Sequence, residues 1–198
     1  FNIVGKYGAP VQTLLKKASA LDIKTICPLH GPVLTDNLGY YLDLYNTWSS
    51  YQPENKGVFV AYASIHGNTA HAAEKFADML RNKGVEKVVV TDISRCDIAE
   101  AVEDAFRYDR MVLAAASYDA GVFPIMQDFL HHLQAKAYQN RTVGLIENGS
   151  WAPTAAKTMR NILDTMKNIT VVEPVVTIKS VLKKTDIPAL DQLADAIK

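Results

Sequence analysis

Residues 61–70 read AYASIHGNTA. An apolar run, 58–63, passes straight into Ser64, Ile65, His66, Gly67, Asn68 and Thr69, a stretch rich in hydroxyl, amide and open backbone N–H groups and free of Lys and Arg. A loop between the first strand and first helix of an open α/β sheet lies at the carboxyl ends of the strands, where such folds bind ligands. The following helix presents free N–H groups and the positive end of its dipole. This set suits a phosphate monoester held by hydrogen bonds instead of by lysine. The lysine of GxxxxGK[ST] is missing, and only Gly67 is present of G-x-G-x-x-G, so a nucleoside-triphosphatase loop and the dinucleotide fingerprint are both disfavoured. A terminal phosphate on a mononucleotide remains. The ordinary alternative is a strand-to-helix turn made of capping residues.

Two further loops belong to the same sheet edge, SYDAGVFP (117–124) and ENGSWAP (147–153). Tyr118 and Trp151 could flank a planar ring, with Gly121 and Gly149 letting backbone meet its edge. Taken singly, each aromatic reads as a partly buried packing residue; with the phosphate loop, the three loops point to one ligand site. No acid–base or nucleophile set accompanies them. Cys27 and Cys96 lack an activating pattern, and His71, His131 and His132 fall on predicted helices and read as structural.

The elements that position these loops alternate from residue 57 onward. Strands are expected at 58–63, 85–91, 111–116, 142–146 and 169–178, each followed by a helix with apolar residues at helical spacing. Gly84 suits a helix C-terminus, Ser94 with Asp97 resembles a capping box, and Pro124 suits a first helical turn. Five βα repeats imply a doubly wound parallel sheet with helices on both faces. Pro174 in the fifth strand, and Glu86 and Lys87 in the second, suit edges, which fits the order 2-1-3-4-5. Residues 1–56 differ: helices are expected at 11–21 and 40–51, a short strand at 24–27, and a polar joint at QPENKG (52–57). The expected division is 1–52, a linker at 53–57, and 58–198. The chain opens FNIVGKYG without Met, which reads as a piece of something longer.

Composition bounds the partners. With 48% hydrophobic residues and 21 basic residues against 21 acidic ones, nothing suggests nucleic acid or an anionic membrane surface. No apolar stretch approaches the roughly 20 residues of a membrane span. Two distant cysteines fit a reduced, cytoplasmic setting.

The three loops resemble the flavin-mononucleotide (FMN) loops of the flavodoxin-like domain, and the form SIHGNTA resembles that domain in the flavodiiron proteins, or A-type flavoproteins. ICPLHGPV (26–33) resembles the end of the metallo-β-lactamase-like di-iron domain that precedes it in that family. The resemblance implies that Ser64, Ile65, His66, Gly67, Asn68 and Thr69 hold the FMN phosphate. It implies that Ser117, Tyr118, Asp119, Ala120 and Gly121 line one side of the flavin ring and Asn148, Gly149, Ser150 and Trp151 the other. ENGSWAP is a variant of the family's third loop. His30 would match an iron ligand, although the H-x-E-x-D segment carrying other ligands is absent, so a complete di-iron centre is not expected in these residues. The resemblance further implies electron transfer from a rubredoxin-like or reductase donor to a di-iron site reducing dioxygen or nitric oxide, and a possible homodimer. Asp119 beside the ring would oppose negative charge on the reduced flavin. Rival readings are a free-standing flavodoxin or an FMN-dependent quinone reductase, against which ICPLHGPV argues. A receiver module is opposed by Tyr62, Ala63 and Ser64 standing where it needs acids, and a ligand-free interaction domain by the intact phosphate loop.

Overall fold

The computed structural model describes residues Phe1–Lys198. Its centre is a sheet of β1 (Asn55–Ala63), β2 (Val88–Asp92), β3 (Tyr108–Tyr118), β4 (Gly121–Val122), β5 (Arg141–Asn148), β6 (Ile169–Val171) and β7 (Val176–Ile178). The order is β2-β1-β3-β5-β6, with β7 also on β5 and β4 folding back antiparallel on β3. All pairings except β3–β4 are parallel. With β4 set aside and β6 and β7 taken as one interrupted strand, this is the expected 2-1-3-4-5 path. Period-two alternation sends Phe59, Ala61 and Ala63 to one core and Val58 and Val60 to the other. Helices α4 (Ile98–Arg107), α5 (Pro124–Ala135) and α6 (Ala155–Leu163) cover the first face, and α3 (Asn68–Asn82) and α7 (Ile187–Ile197) the second. Being covered on both sides, β3 is fully apolar from Met111 to Ala115.

Several expected boundaries move for local reasons. β1 starts at Asn55, inside the expected joint: Asn55 pairs with Tyr108, and the Gly57 N–H donates to Asp109 Oδ1 at 2.8 Å. β2 starts at Val88 because Val85 closes α3 instead. Gly84 takes φ +86°, its N–H donates to Arg81 O at 3.0 Å, and the Val85 N–H donates to Leu80 O at 3.1 Å. That pair is the Schellman arrangement. Asp97 alone caps α4, accepting from the Ala99 N–H at 2.9 Å, while the Ser94 hydroxyl turns back to Asp92. The expected fifth strand splits around Pro174, which has no N–H to give a ladder. The expected strand at 24–27 is only an isolated bridge between Ile26 and Leu34.

The N-terminal helices α1 (Gly8–Ala18) and α2 (Leu38–Ser49) pack on each other and attach to the sheet domain through Arg141. That guanidinium, 3% exposed, donates to Tyr108 O and Tyr51 O at 2.8 Å, Gln139 O at 3.0 Å, Asn140 O at 3.1 Å and Phe106 O at 2.5 Å. It thus ties the end of the N-terminal segment to the negative end of α4. Burial pulls its pKa below the ordinary arginine value, and neutral carbonyls supply the hydrogen bonds that hold the charge. Phe1 stacks on Phe106 at 4.0 Å, and Tyr51 Oη donates to Gly5 O at 2.7 Å. Beneath Arg141, the ring of Tyr138 lies 5.8 Å from the guanidinium carbon, and its hydroxyl is buried without a partner. Burial raises the pKa of that phenol, keeping it neutral. An unpaired buried hydroxyl costs about 1–3 kcal/mol. Tyr138→Phe keeps the ring and should therefore raise the unfolding free energy by about 1 kcal/mol, read by urea denaturation; a loss of stability would mean that the hydroxyl has a partner.

Candidate functional site

Ser64, Ile65, His66, Asn68 and Thr69 line a cleft of about 300 Å³ at the carboxyl edge of the sheet, with Ser117, Asn148, Gly149, Ser150 and Trp151 opposite. Gly67 lies within the same turn without lining the cleft. None of the lining residues is Lys, Arg, Asp or Glu. Gly67 takes φ +87°, the left-handed region that favours glycine, and caps α3 without a side chain. Its own N–H donates to Ser64 Oγ at 3.1 Å, so the serine proton stays free to donate elsewhere. The first bond of the helix runs from the His71 N–H to Gly67 O at 2.9 Å. The N–H groups of Asn68, Thr69 and Ala70 consequently have no backbone acceptor and no capping side chain. Asn68 and Thr69 line the cleft, and the positive end of a 15-residue helix stands behind these donors.

The helix beginning on the other side of the cleft is closed. Ser117 Oγ accepts from the Thr154 and Ala155 N–H groups at 2.9 and 3.2 Å, and Glu147 Oε2 accepts from the Ala156 N–H at 2.9 Å. Glu147 Oε1 also accepts from the Thr177 hydroxyl at 2.8 Å, so this buried carboxylate joins β5, β7 and α6. One helix start therefore offers bare donors at the cleft, while the other has its Ala155 and Ala156 N–H groups engaged.

The second loop is a hairpin whose two-residue turn, Asp119-Ala120, takes φ +46° and +56° between the paired Tyr118 and Gly121. Tyr118, Asp119, Ala120 and Gly121 sit on this hairpin and do not line the cleft. Tyr118 is 46% exposed and leans on Phe123 at 5.9 Å. The loop is tied to the third by the Thr154 hydroxyl, which donates to Gly121 O at 2.8 Å. Gly149 is required by contact: a Cβ there would lie 2.9 Å from Ser117 Oγ and 3.0 Å from Pro153 Cα. Trp151 departs from the packing role of a lone aromatic, standing 97% exposed at the rim.

Sequence reasoning missed a fourth loop. Ser180, after β7, lines the cleft beside Ser150. The Asn148 carboxamide is spent on it, its Nδ2 donating to Ser180 O at 2.8 Å and its Oδ1 accepting from the Ser180 N–H at 3.0 Å. The only sequence cue is a polar residue, Ser180, two positions after the strand. His30 is exposed, remote in the chain from every cleft residue, and no group of three His, Cys, Asp or Glu side chains could hold a metal ion. His71 and His131 are exposed and His132 half-buried. Cys27 is exposed; Cys96 is half-buried, and burial raises its thiol pKa, which disfavours the thiolate.

A family model described as the flavodoxin domain matches residues 59–181, more than half of the chain. The chain belongs to the flavodoxin-domain family. An uncharacterized protein of Methanocaldococcus jannaschii is 29% identical over 136 residues, 67% of this chain and 33% of that protein. Among solved structures, rubredoxin oxygen:oxidoreductase from Desulfovibrio gigas superposes with a TM-score of 0.90 at 20% identity, over 99% of this chain and 49% of that one. The flavodiiron protein from Giardia intestinalis superposes with a TM-score of 0.84 at 20% identity, over 98% of this chain and 48% of that one. The fold, N-terminal segment included, is thus shared with flavodiiron proteins, and the chain spans half or less of the length of these relatives. No helix is long and apolar enough to cross a membrane.

Within this flavodoxin domain the loop geometry makes opposite forecasts for two small substitutions. Ser117→Ala uncovers the start of α6 and should cost about 1–2 kcal/mol, as lost helix caps do. Ala120→Gly relieves a left-handed alanine and should add about 1 kcal/mol. Thermal or urea unfolding of both variants checks this; equal effects would contradict the described turn and cap.

Proposed function

We propose that the cleft binds FMN, and that the chain is the flavin-binding electron-transfer part of a flavodiiron oxidoreductase. In this reading residues 58–198 form the flavin domain, 53–57 the joint, and 1–52 the end of a metallo-β-lactamase-like di-iron domain. The observation that carries it is the bare N-terminus of α3 opening into a cleft lined by hydroxyl, amide and imidazole groups. A phosphate dianion there is held by the Asn68, Thr69 and Ala70 N–H groups and by the free proton of Ser64. A triphosphate would bring more charge than these donors neutralise.

The remaining residues fit the rest of the ligand. The cleft volume is at the small end of ligand pockets, which suits a polyol chain and ring edge, while exposed Tyr118 and Trp151 stand at the rim for a planar ring. FMN supplies one- and two-electron transfer; the protein contributes binding, orientation and local charge. In this reading Ser64, Ile65, His66, Gly67, Asn68 and Thr69 hold the phosphate end. The hairpin Tyr118, Asp119, Ala120 and Gly121 flanks the ring from one side, and Gly149, Ser150 and Trp151 from the other. Ser117 and Asn148 serve by shaping these loops.

The residues present do not fit a di-iron centre. His30 stands exposed with no cluster of ligands around it. Any metal chemistry therefore belongs to a part of the protein outside these residues, and the choice between dioxygen and nitric oxide goes with it. A rubredoxin-like or reductase donor and a homodimeric assembly are part of the proposal, supported by the shared fold across the whole chain.

Two measurements test this reading. Fluorescence titration should show FMN binding about 100-fold or more tighter than riboflavin, since charged hydrogen bonds to the phosphate contribute about 1.5–3 kcal/mol each. Equal affinities, or binding of neither, would remove the phosphate site. Asp119→Asn should raise the flavin midpoint potential, because it deletes a negative charge near the reduced ring. An unchanged potential removes Asp119 from the account.

A further inference from the structure

The fourth loop has no role in the reading above, and its construction is specific. Ser180 is an exposed, non-glycine residue held at φ +67°. Such a conformation costs about 1–2 kcal/mol and persists only where its surroundings enforce it. Here Asn148, 7% exposed, spends both amide atoms on the Ser180 backbone, and the Gly149 N–H donates to Ile178 O at 3.0 Å. The product of that clamp is one contact: Ser180 Oγ lies 2.8 Å from Ser150 Oγ, both residues lining the cleft. Two hydroxyls that share one proton leave a second proton to give away.

The sheet order fixes where that proton is offered. β1, β3, β5 and β7 are successive neighbours, so the loops after β1 and β7 lie about 14 Å apart across the cleft, three strand spacings. In the FMN reading the ring lies between the hairpin after β3 and the loop after β5, on the side of the phosphate site toward β7. We propose that Ser180 is a positioning residue for that ring. It orients the Ser150 hydroxyl to donate to a carbonyl or ring nitrogen of the heterocycle. The proposal rests on the FMN reading.

The test titrates the full chain, wild type and variants, with FMN and with riboflavin, following fluorescence quenching, the visible spectrum of the bound flavin and thermal melting. Ser180→Ala removes the hydroxyl and keeps the backbone clamp. Ser180→Gly removes it and also relieves the left-handed strain. Both should weaken FMN and riboflavin by the same factor, about five- to tenfold, and shift the visible band of the bound flavin. Ser180→Gly should do so with an unchanged or raised melting midpoint, which a purely structural role would not allow. Affinities within twofold of wild type, a loss confined to FMN, or a loss that merely tracks melting would each overturn the proposal. Wild-type protein that binds neither flavin would overturn the FMN reading itself, and this proposal with it.

Discussion

The structure turns on an asymmetry between two helix starts. Every helix begins with N–H groups that its own backbone cannot satisfy, and two helices begin at the cleft. In α6, Ser117 and Glu147 take the first two donors, the Ala155 and Ala156 N–H groups. α3 has none taken, because its cap is a glycine and the nearby serine is engaged by that glycine. Unsatisfied donors at a helix end are tolerated only where water or a ligand reaches them. They therefore fix where negative charge is welcome, and they do so without a lysine. Such a site discriminates by geometry more than by net charge, since backbone N–H groups cannot swing toward a misplaced anion.

The other loops read as a frame built around that donor set. Ser117 closes α6 and forces glycine at 149; Thr154 ties the hairpin to the third loop; Asn148 ties the third loop to the fourth. Residues that would be expected to point at a ligand are consumed in holding one another. What this frame leaves exposed are Trp151, Tyr118 and Ile65, apolar groups whose exposure on a finished surface has no packing benefit. Two consecutive left-handed residues in the hairpin add strain beside the cleft, as functional loops often do.

Much of this was legible beforehand, because the signals are local. The apolar runs of β3 and β5, doubly covered, could only be central strands, and residues 64–69 mark the polar strand-to-helix turn that opens α3. What failed were features decided by contacts distant in sequence or by neighbouring caps. Val85 looks like strand and serves the end of α3; Asn55 looks like linker and pairs with Tyr108. Ser117 and Asn148 have the side chains of ligand residues, yet their partners 37 and 32 residues away take most of their hydrogen-bonding capacity. Ser180 offers only its polarity shortly after a strand, since its placement is set by a carboxamide on another strand. In the sequence Gly149 reads as letting backbone meet a ring edge, whereas the structure needs it because a Cβ would meet Ser117 and Pro153.

The most direct test of the open and closed helix starts is residue-resolved. Backbone amide resonances of the isotope-labelled protein, followed while FMN and then riboflavin are added, report each N–H separately. The account predicts that FMN moves the Asn68, Thr69 and Ala70 amides strongly downfield and riboflavin leaves them nearly in place, while the Ala155 and Ala156 amides hold their positions with both. Large shifts at Ala155 and Ala156, or unmoved amides at the start of α3 with FMN bound, would contradict it.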